Sequence, residues 1–256
     1  MCDKNMNNKI IGILTVVMVL ILIASIFTIF MKEDYPQKTL SNNDDELGTV
    51  KIEGPYGNLS SPNRIAFIIG THPLEYNSHE ALVNLIRSNK SNSNIQNAYY
   101  IYIINVTKDR TDFAKGRMNG QLLGEKYVVP HINEQNYSFV VDVHSHRGVY
   151  EEYNFIIAPL NDAESVNIGL MIINNMTNMS LLKFVPEEDG NPTSPDFISI
   201  PILKNGTPTL IYETYLNETN DATLKFITEF FQNLDNIDFS VDFSNLNGSV
   251  INNKIN

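Results

Sequence analysis

Several short stretches of the sequence place ionisable side chains where an apolar segment ends. The first is GTHPLE (70–75), in which His72 stands three residues before Glu75. Imidazole and carboxylate are both common ligands of divalent metal ions, so this pair could fill two coordination positions of one ion. Pro73 favours an extended backbone at His72 and stiffens the turn. The chemistry that this stretch predicts is metal binding.

The second stretch is VDVHSH (141–146), with Asp142, His144 and His146 at every other position. On a strand these side chains share one face, and a buried strand seldom carries three ionisable residues on one face without a partner, because their desolvation is costly. His144 could complete a His/Glu/His metal site. His146 could support a ligand from behind, carry protons, or take the ligand position in place of His144. Asp142 could orient a ligand imidazole.

Two more stretches carry polar groups at predicted strand ends. In PTLIYET (208–214), Glu213 follows an apolar strand, and a carboxylate beside a metal-activated water can accept its proton and later return it. In KDRTDFAKGRMNG (108–120), Arg110, Arg117 and Asn119 lie in a predicted loop. A guanidinium there could pair with a substrate carboxylate or polarise a carbonyl. His79, near a predicted helix start, could compete with His72 as the partner of Glu75.

The elements that must position these residues follow from the hydrophobic pattern. Apolar, β-branched and aromatic runs predict strands at 64–70, 98–106, 137–146, 153–160 and 207–215. Helical periodicity predicts helices at 78–89, 162–176 and 220–234. This alternation predicts an α/β domain with a mixed, largely parallel central sheet flanked by helices. Binding sites in such sheets lie beyond the carboxyl ends of strands, where His72, His144 and Glu213 stand.

Composition excludes several classes of function. The 256 residues carry a formal net charge of -11, and Lys and Arg form no basic stripe, so nucleic acid is not an expected partner. Cys2 is the only cysteine, which excludes a disulfide within the chain and a thiolate metal cluster. Any metal must therefore be held by histidine and carboxylate.

The N-terminal region carries a long uncharged run at 10–31. At about 1.5 Å per residue a helix of this length reaches across the roughly 30 Å hydrocarbon core of a bilayer, which predicts one transmembrane helix. Lys4 and Lys9 precede the run, so the positive-inside rule places 1–9 in the cytoplasm and the C-terminal domain outside. The prediction is a single-pass membrane protein, whose other segments are a polar stalk at 32–62, the α/β domain with the candidate metal ligands at 63–236 and a polar tail at 237–256.

Taken together, the motifs GTHPLE, NVTKDRTDFAKGRMNG, VDVHSH and PTLIYET resemble, in their order along the chain, the zinc carboxypeptidase superfamily, especially its aspartoacylase and succinylglutamate desuccinylase branch. The resemblance spans roughly residues 63 to 235. It implies a zinc carboxypeptidase-like fold, with Zn²⁺ bound by His72, Glu75 and His144 and with Glu213 as general base. It also implies that Arg110, Arg117 and Asn119 bind the substrate or polarise its carbonyl. The sequence departs from the branch at Pro73 and lacks its Asn-Arg pair.

The function predicted from these features is membrane-anchored, zinc-dependent hydrolysis of amide bonds. The enzyme would be a carboxypeptidase or a deacylase, acting on a peptide or an N-acyl amino acid that carries a carboxylate. Glu213 and Arg117 would act on the reacting groups, and Arg110, Asn119 and His146 would contact the rest of the substrate. The alternative is a non-catalytic binding or structural module at the cell surface, with a degraded or structural metal site. Zinc content and a Glu213→Gln variant distinguish the two.

Overall fold

A computed structural model describes residues 13–22, 35–89, 92, 94–187 and 190–245. The chain divides into two units, Met1–Tyr35 and Pro36–Asn256. In the first unit, residues 13–22 are helical (α1). Within the described residues, we find no helix with both the length and the apolar character that crossing a membrane requires. The segment 1–9 and much of the run at 10–31 lie outside the described residues, so the transmembrane helix stays a prediction.

The second unit is built on one sheet of eight strands. In chain order these are β1 Gln37–Thr39, β2 Gly48–Gly57, β3 Arg64–Ile69, β4 Ala98–Val106, β5 Phe139–His146, β6 Asn154–Pro159, β7 Ser180–Phe184 and β8 Thr209–Tyr215. Their spatial order is β1-β2-β4-β3-β5-β8-β6-β7. The four central strands β4, β3, β5 and β8 run parallel, whereas β2 is antiparallel to β1 and β4, and β6 is antiparallel to β8 but parallel to β7. The predicted mixed, largely parallel sheet is confirmed.

Helices cover both faces of this sheet. They are α2 Tyr76–Ser88, α3 Phe113–Leu123, α4 Val129–Asn133, α5 Ala163–Ile173, α6 Ser194–Phe197, α7 Ser199–Lys204 and α8 Asn220–Asp235. A π-helical turn at Gly124–Val128 joins α3 to α4, and a 3₁₀ turn forms at Phe243–Asn245. On one face Ala66 and Ile68 pack with residues of α3, α4 and α7. On the other face, α8 places Phe230 against Tyr212 and Phe231 against Tyr99.

The five predicted strands correspond to β3, β4, β5, β6 and β8, and the three predicted helices to α2, α5 and α8. β5 is buried along its whole length. Because β4, β3, β5 and β8 are parallel, their carboxyl ends lie at one edge of the sheet. This edge carries the predicted metal ligands.

The predicted polar stalk at 32–62 is wrong where the chain forms β1 and β2. β2 pairs with β4 over most of its length, and its side chains of Val50 and Tyr56 are buried. The Gly54-Pro55 pair resembles a turn signal, but it lies at a register irregularity of the strand, beyond the three residues that β1 covers. Proline is tolerated at such a position because no ladder hydrogen bond is lost.

The predicted polar tail at 237–256 begins within the packed structure. Ile237 and Phe243 are buried, and the side-chain amide of Asn167 donates a hydrogen bond to the backbone oxygen of Phe243 at 2.7 Å. Residues 246–256 lie outside the described part of the chain. The packing of this segment is therefore determined by its few apolar residues, Ile237 and Phe243, and not by its polar average composition.

The predicted loop at 108–120 is helical from Phe113 onward. Asp112 caps α3, because its carboxylate accepts hydrogen bonds from the backbone N–H groups of Ala114 and Lys115. An Asp immediately before a helix is a start signal that the sequence contained. As a result Arg117 lies on a helix rather than on a loop, and the helix fixes its position.

Candidate metal centre

The turn after β3 carries the first two candidate ligands. Gly70 has a φ of +83°, and a Cβ at this position would lie 2.0 Å from the backbone oxygen of Ile104. Only glycine fits there. The backbone N–H of Glu75 donates to the backbone oxygen of His72 at 3.1 Å, which closes the turn, and α2 begins at the next residue.

The side chains of His72, Glu75 and His144 converge at the carboxyl edge of the sheet, and all three are buried. Nδ1 of His72 lies 2.9 Å from Oε1 of Glu75, and Nδ1 of His144 lies 3.1 Å from Oε2 of the same carboxylate. The two Nδ1 atoms are 2.9 Å apart. One turn and one strand, separated by about seventy residues, thus direct three ligand-type groups at a single point.

Other side chains hold the outer nitrogen of each imidazole. Nε2 of His144 lies 3.0 Å from Oδ1 of Asp142, and Oδ2 of Asp142 accepts a hydrogen bond from Ser199 at 3.1 Å. Nε2 of His72 lies 3.0 Å from Oγ of Ser194 and 3.4 Å from Nε2 of Gln121. These contacts fix the ring orientations that leave both Nδ1 atoms facing Glu75.

Burial and charge together determine the protonation of the cluster. Burial lowers the pKa of His72 to about 4, and the charge of His144 acts in the same direction. Burial would also lower the pKa of His144, but Asp142 and Glu75 raise it well above its usual value. Burial opposes ionisation of Glu75, yet the two imidazoles hold its pKa well below the usual range. The surrounding carboxylates therefore stabilise a positive charge among the three side chains.

These residues fit a divalent metal ion such as Zn²⁺. Two histidines and one carboxylate are a donor set of open, catalytic zinc sites. Ligand atoms 2.0–2.1 Å from a tetrahedral ion would be about 3.3 Å apart. The separations of 2.9–3.1 Å in the cluster are close to this value. Each imidazole also directs its second nitrogen at a neighbouring polar group, as ligand histidines do.

Glu213 stands next to this cluster on β8, as the register partner of His144 on β5. Its Oε2 atom is buried and has no hydrogen-bond partner among the described residues. Burial raises the pKa of Glu213 to about 8, opposed by the charge of His144 and reinforced by that of Glu75. A carboxyl group with a pKa in this range can take up and give back a proton near neutral pH.

Of the three predicted polar residues at 108–120, one reaches the cluster. Arg117 donates to Oε1 of Glu75. Its helix lies directly against the ligand turn, since a Cβ on Gly120 would come within 1.9 Å of the backbone oxygen of Thr71. Arg110 instead donates to the side chain of Asn105 at 3.0 Å.

Asn119 donates to the backbone oxygen of Lys108 at 2.9 Å. Neither Arg110 nor Asn119 lines the cleft that the described residues form around the cluster. Both side chains fold back on the strand end and the turn that precede α3. Their contacts depend on where the helix begins, which the prediction of a loop did not include.

His146 lies at the cleft, but both of its ring nitrogens are engaged. Nδ1 accepts a hydrogen bond from the backbone N–H of Gly148 at 3.1 Å, and Nε2 donates to the backbone oxygen of Tyr153 at 2.9 Å. The structure therefore brings His144, and not His146, to the candidate metal position. His79 also points elsewhere, with Nε2 at 2.8 Å from the backbone oxygen of Val143.

The cleft has two adjoining parts that share His72, Arg117, Tyr150 and Glu213. The first encloses about 300 Å³, and its wall includes three residues that the sequence did not single out, Phe113, Arg147 and Leu216. The second encloses about 320 Å³, and its lining combines Asp142, His144 and Ser194 with the apolar side chains of Ile157, Phe184, Pro195 and Ile211. Arg147 directly follows VDVHSH in the sequence. This proximity to a predicted ligand motif is the signal by which the sequence could have indicated a position at the cleft.

Comparison by sequence finds no matching family, and no characterised protein gives a significant match. Comparison by structure finds a metallo-carboxypeptidase from Burkholderia cenocepacia with a TM-score of 0.52 and 9% identity, covering 83% of this chain and 66% of that one. A succinylglutamate desuccinylase/aspartoacylase from Rhodobacter sphaeroides matches at 0.47 and 12%, covering 79% and 65%. The cell shape determinant Csd4 from Helicobacter pylori matches at 0.46 and 12%, covering 87% and 59%.

The chain therefore has the metallocarboxypeptidase fold, and the resemblance to the zinc carboxypeptidase superfamily is confirmed at the level of the fold. The matched region spans about three fifths to two thirds of the length of these structures. The fold brings the sequence motifs to the same edge of the sheet, but a fold does not determine function, which depends on the residues of the site.

Proposed function

We propose that this protein is a zinc-dependent hydrolase of amide bonds, of the carboxypeptidase or N-acyl amino acid deacylase type. The observation that carries the proposal is the convergence of the two Nδ1 atoms of His72 and His144 on the carboxylate of Glu75, beside Glu213. Such a donor set leaves coordination positions free for water and substrate. The carboxypeptidase-like fold supports the same class of chemistry.

In this proposal His72, Glu75 and His144 hold the ion. Zinc supplies a Lewis acid, which polarises a carbonyl and lowers the pKa of water towards about 7. Asp142 and Ser194 keep the two imidazoles oriented, since they occupy the outer nitrogens at 3.0 Å each. The chain's contribution at this step is a rigid donor set that needs no rearrangement when substrate arrives.

Glu213 acts as the general base and then as the general acid. Its free Oε2 can accept the proton of the attacking water, and the proton can then pass to the leaving amine. Arg117 lines both parts of the cleft and donates to Glu75 through one nitrogen, so the other N–H groups of its guanidinium can polarise the scissile carbonyl. Residues on β5, β8 and α3 thereby surround the reacting group.

The location of this activity is a further part of the proposal. The uncharged run at 10–31 supports anchoring in a membrane with the hydrolase domain outside the cytoplasm. Protease treatment of intact cells that express the full chain tests this. Digestion of the domain without lysis is expected, whereas complete protection until lysis contradicts the orientation.

The activity test uses the full-length protein. We expect about one zinc per chain and release of amine from a panel of dipeptides and N-acyl amino acids, both abolished by chelator and restored by Zn²⁺. His72→Ala should lose zinc and hydrolysis, and Arg110→Gln, which removes a charge outside the cleft, should keep both. A wild-type chain that binds no zinc, or a His72→Ala variant that hydrolyses normally, contradicts the proposal. Stoichiometric zinc without hydrolysis favours the non-catalytic module.

A further inference from the structure

The second unit carries a repeated motif that the proposed hydrolysis does not use. The sequence contains nine Asn-x-Ser/Thr triplets without proline at the middle position, and such triplets are the acceptor sites of N-linked glycosylation. The chain holds 34 asparagines and 32 serines and threonines, from which about four such triplets are expected by chance. The triplets are therefore more frequent than the asparagine content alone explains.

Exposure separates the acceptor asparagines of these triplets from the other asparagines. Of the eight acceptors that the structure describes, seven are exposed, whereas ten of the other nineteen described asparagines are exposed. The seven exposed acceptors are Asn58, Asn105, Asn136, Asn175, Asn178, Asn205 and Asn217. The eighth, Asn89, is half-buried, and its side-chain amide donates to the backbone oxygen of Leu85 at 2.9 Å. Triplets scattered at random over an asparagine-rich chain would not favour exposed positions in this way.

The local structure at the exposed acceptors suits enzymatic modification. Asn105 lies one residue before the end of β4, and the other six lie in turns and connecting segments. Nδ2 of Asn58, Asn205 and Asn217 each donates a hydrogen bond to a neighbouring oxygen, at 3.3, 3.4 and 3.2 Å respectively. Because an amide nitrogen carries two hydrogens, each of these groups can lose one hydrogen and keep its contact.

The acceptors also lie outside the cleft. None of the eight described acceptor asparagines lines either of its two parts. Asn217 is the acceptor next to a lining residue in the sequence, since it directly follows Leu216. Oligosaccharides at the exposed acceptors would therefore be attached to the outer surface of the domain, where they are bulky and solubilising.

We infer that the exposed asparagines of these triplets carry N-linked oligosaccharides. The inference rests on the proposed location of the domain outside the cytoplasm, and not on hydrolysis. In the transfer step, Nδ2 forms a bond to the anomeric carbon of an oligosaccharide held on a lipid phosphate. The bond between that carbon and the phosphate oxygen breaks, Nδ2 loses one proton, and the lipid phosphate leaves. The lipid-linked oligosaccharide is the co-reactant, and an oligosaccharyltransferase of the cell catalyses the step.

Peptide mass spectrometry of the full-length protein, purified from the cells that naturally produce it, tests the inference. We expect an intact mass above the 29.0 kDa of the polypeptide, and sugar on peptides that contain the exposed acceptors. Peptides that contain Asn89 should carry none. Asn191 is a control within the chain, because it is exposed and Thr193 follows two residues later, but Pro192 at the middle position excludes transfer.

Two variants of the full chain, made in a host cell that glycosylates exported proteins, extend the test. Ser60→Ala removes the triplet of Asn58 but keeps the asparagine, so one oligosaccharide should be lost. Pro192→Ala completes a triplet at the exposed Asn191, so one should be gained. Thr111→Ala is the matched control, since it removes an exposed hydroxyl outside any triplet and should leave the sugar content unchanged.

A natural protein with the mass of the bare polypeptide, or with sugar on none of the seven exposed acceptors, overturns the inference. Hydrolysis is measured separately, on full-length protein from a bacterial host that adds no N-linked sugar. If that protein hydrolyses amides but the natural protein carries no sugar, the glycosylation inference alone fails. If the natural protein carries sugar at the exposed acceptors but neither preparation hydrolyses amides, the proposed function alone fails.

Discussion

Two carboxylates lie at opposite ends of the sheet in contrasting surroundings. Asp235, at the end of α8, is buried and accepts hydrogen bonds from the backbone of Gln96, the backbone and side chain of Asn97, and the hydroxyl of Tyr99. Glu213, near the carboxyl end of β8, has a buried oxygen with no partner among the described residues. Both oxygens of Asp235 are hydrogen-bonded within the fold. The buried, unpartnered oxygen of Glu213 instead favours binding of a proton or a ligand.

The difference teaches that burial of a charged group does not by itself identify a functional site. The Asp235 carboxylate joins α8 to the start of β4, and both of its oxygens accept hydrogen bonds, as expected of a structural group. At the other end of the sheet, Oε2 of Glu213 has no hydrogen-bond partner among the described residues, and three ligand-type side chains converge beside it. The two carboxylates are therefore distinguished by their hydrogen bonds, since both oxygens of Asp235 are bonded and one buried oxygen of Glu213 is not.

The largest expected effect is on catalysis. Glu213→Gln should reduce amide hydrolysis about 10²–10⁴-fold, because the amide cannot accept a proton. Zinc content should stay unchanged, since Glu213 is not one of the three converging groups. Steady-state kinetics and metal analysis of the same preparation measure both. Loss of zinc together with activity would mean that Glu213 belongs to the donor set.

At the other end of the sheet the expected loss is one of stability. Asp235→Ala should lower the free energy of unfolding by about 3 kcal/mol, since it leaves several buried donors unpaired. Zinc content per folded chain should not change. Denaturant unfolding measures the loss, with Asp44→Ala, an exposed carboxylate, as control. A change below about 0.5 kcal/mol would remove the structural half of the comparison.

A smaller effect is expected for the residue behind a candidate ligand. Asp142→Asn should weaken zinc binding about 10–100-fold, because it removes the charge that orients His144 and raises its basicity. Competition with a chelator of known affinity measures the change. Unaltered zinc affinity would show that the 3.0 Å contact between Asp142 and His144 does not tune the site.

The smallest effect concerns pH. The folded-state pKa of Glu213, about 8, lies above its ordinary value of 4.5, so the folded state retains a proton that the unfolded state releases. Stability of the metal-free protein should therefore fall as pH rises from about 4.5 to 8, whereas Glu213→Gln lacks this contribution. The wild type should lose more than about 1 kcal/mol relative to the variant over this range. Parallel curves for the two proteins would contradict the raised pKa.

Local motifs made much of the site predictable. His-x-x-Glu after an apolar strand and Asp-x-His at the end of another are read directly from spacing, and parallel strand order brings them together. Arg110 and Asn119 were less accessible to this reasoning, because their contacts depend on where α3 begins. The pairing of Arg147 with Phe113 joins residues from two elements, and nothing in either local pattern indicates it.

The fold shows the same division. β3, β4 and β5 are apolar runs and were predictable, whereas β2 mixes polar, apolar, glycine and proline residues. Its strand conformation is imposed by pairing with β4, a tertiary effect that outweighs local preference. Sequence patterns therefore located the centre of the sheet better than its margin.

The uninterrupted burial of β5 restricts how this chain can change. Asp142 and His144 alternate with Val141 and Val143 along β5. Inserting or deleting one residue within the strand would therefore exchange its apolar and ligand-bearing faces. Evolution and engineering alike can vary this segment by substitution but not by length. Relatives that have diverged beyond sequence recognition should still keep a fixed count of residues here.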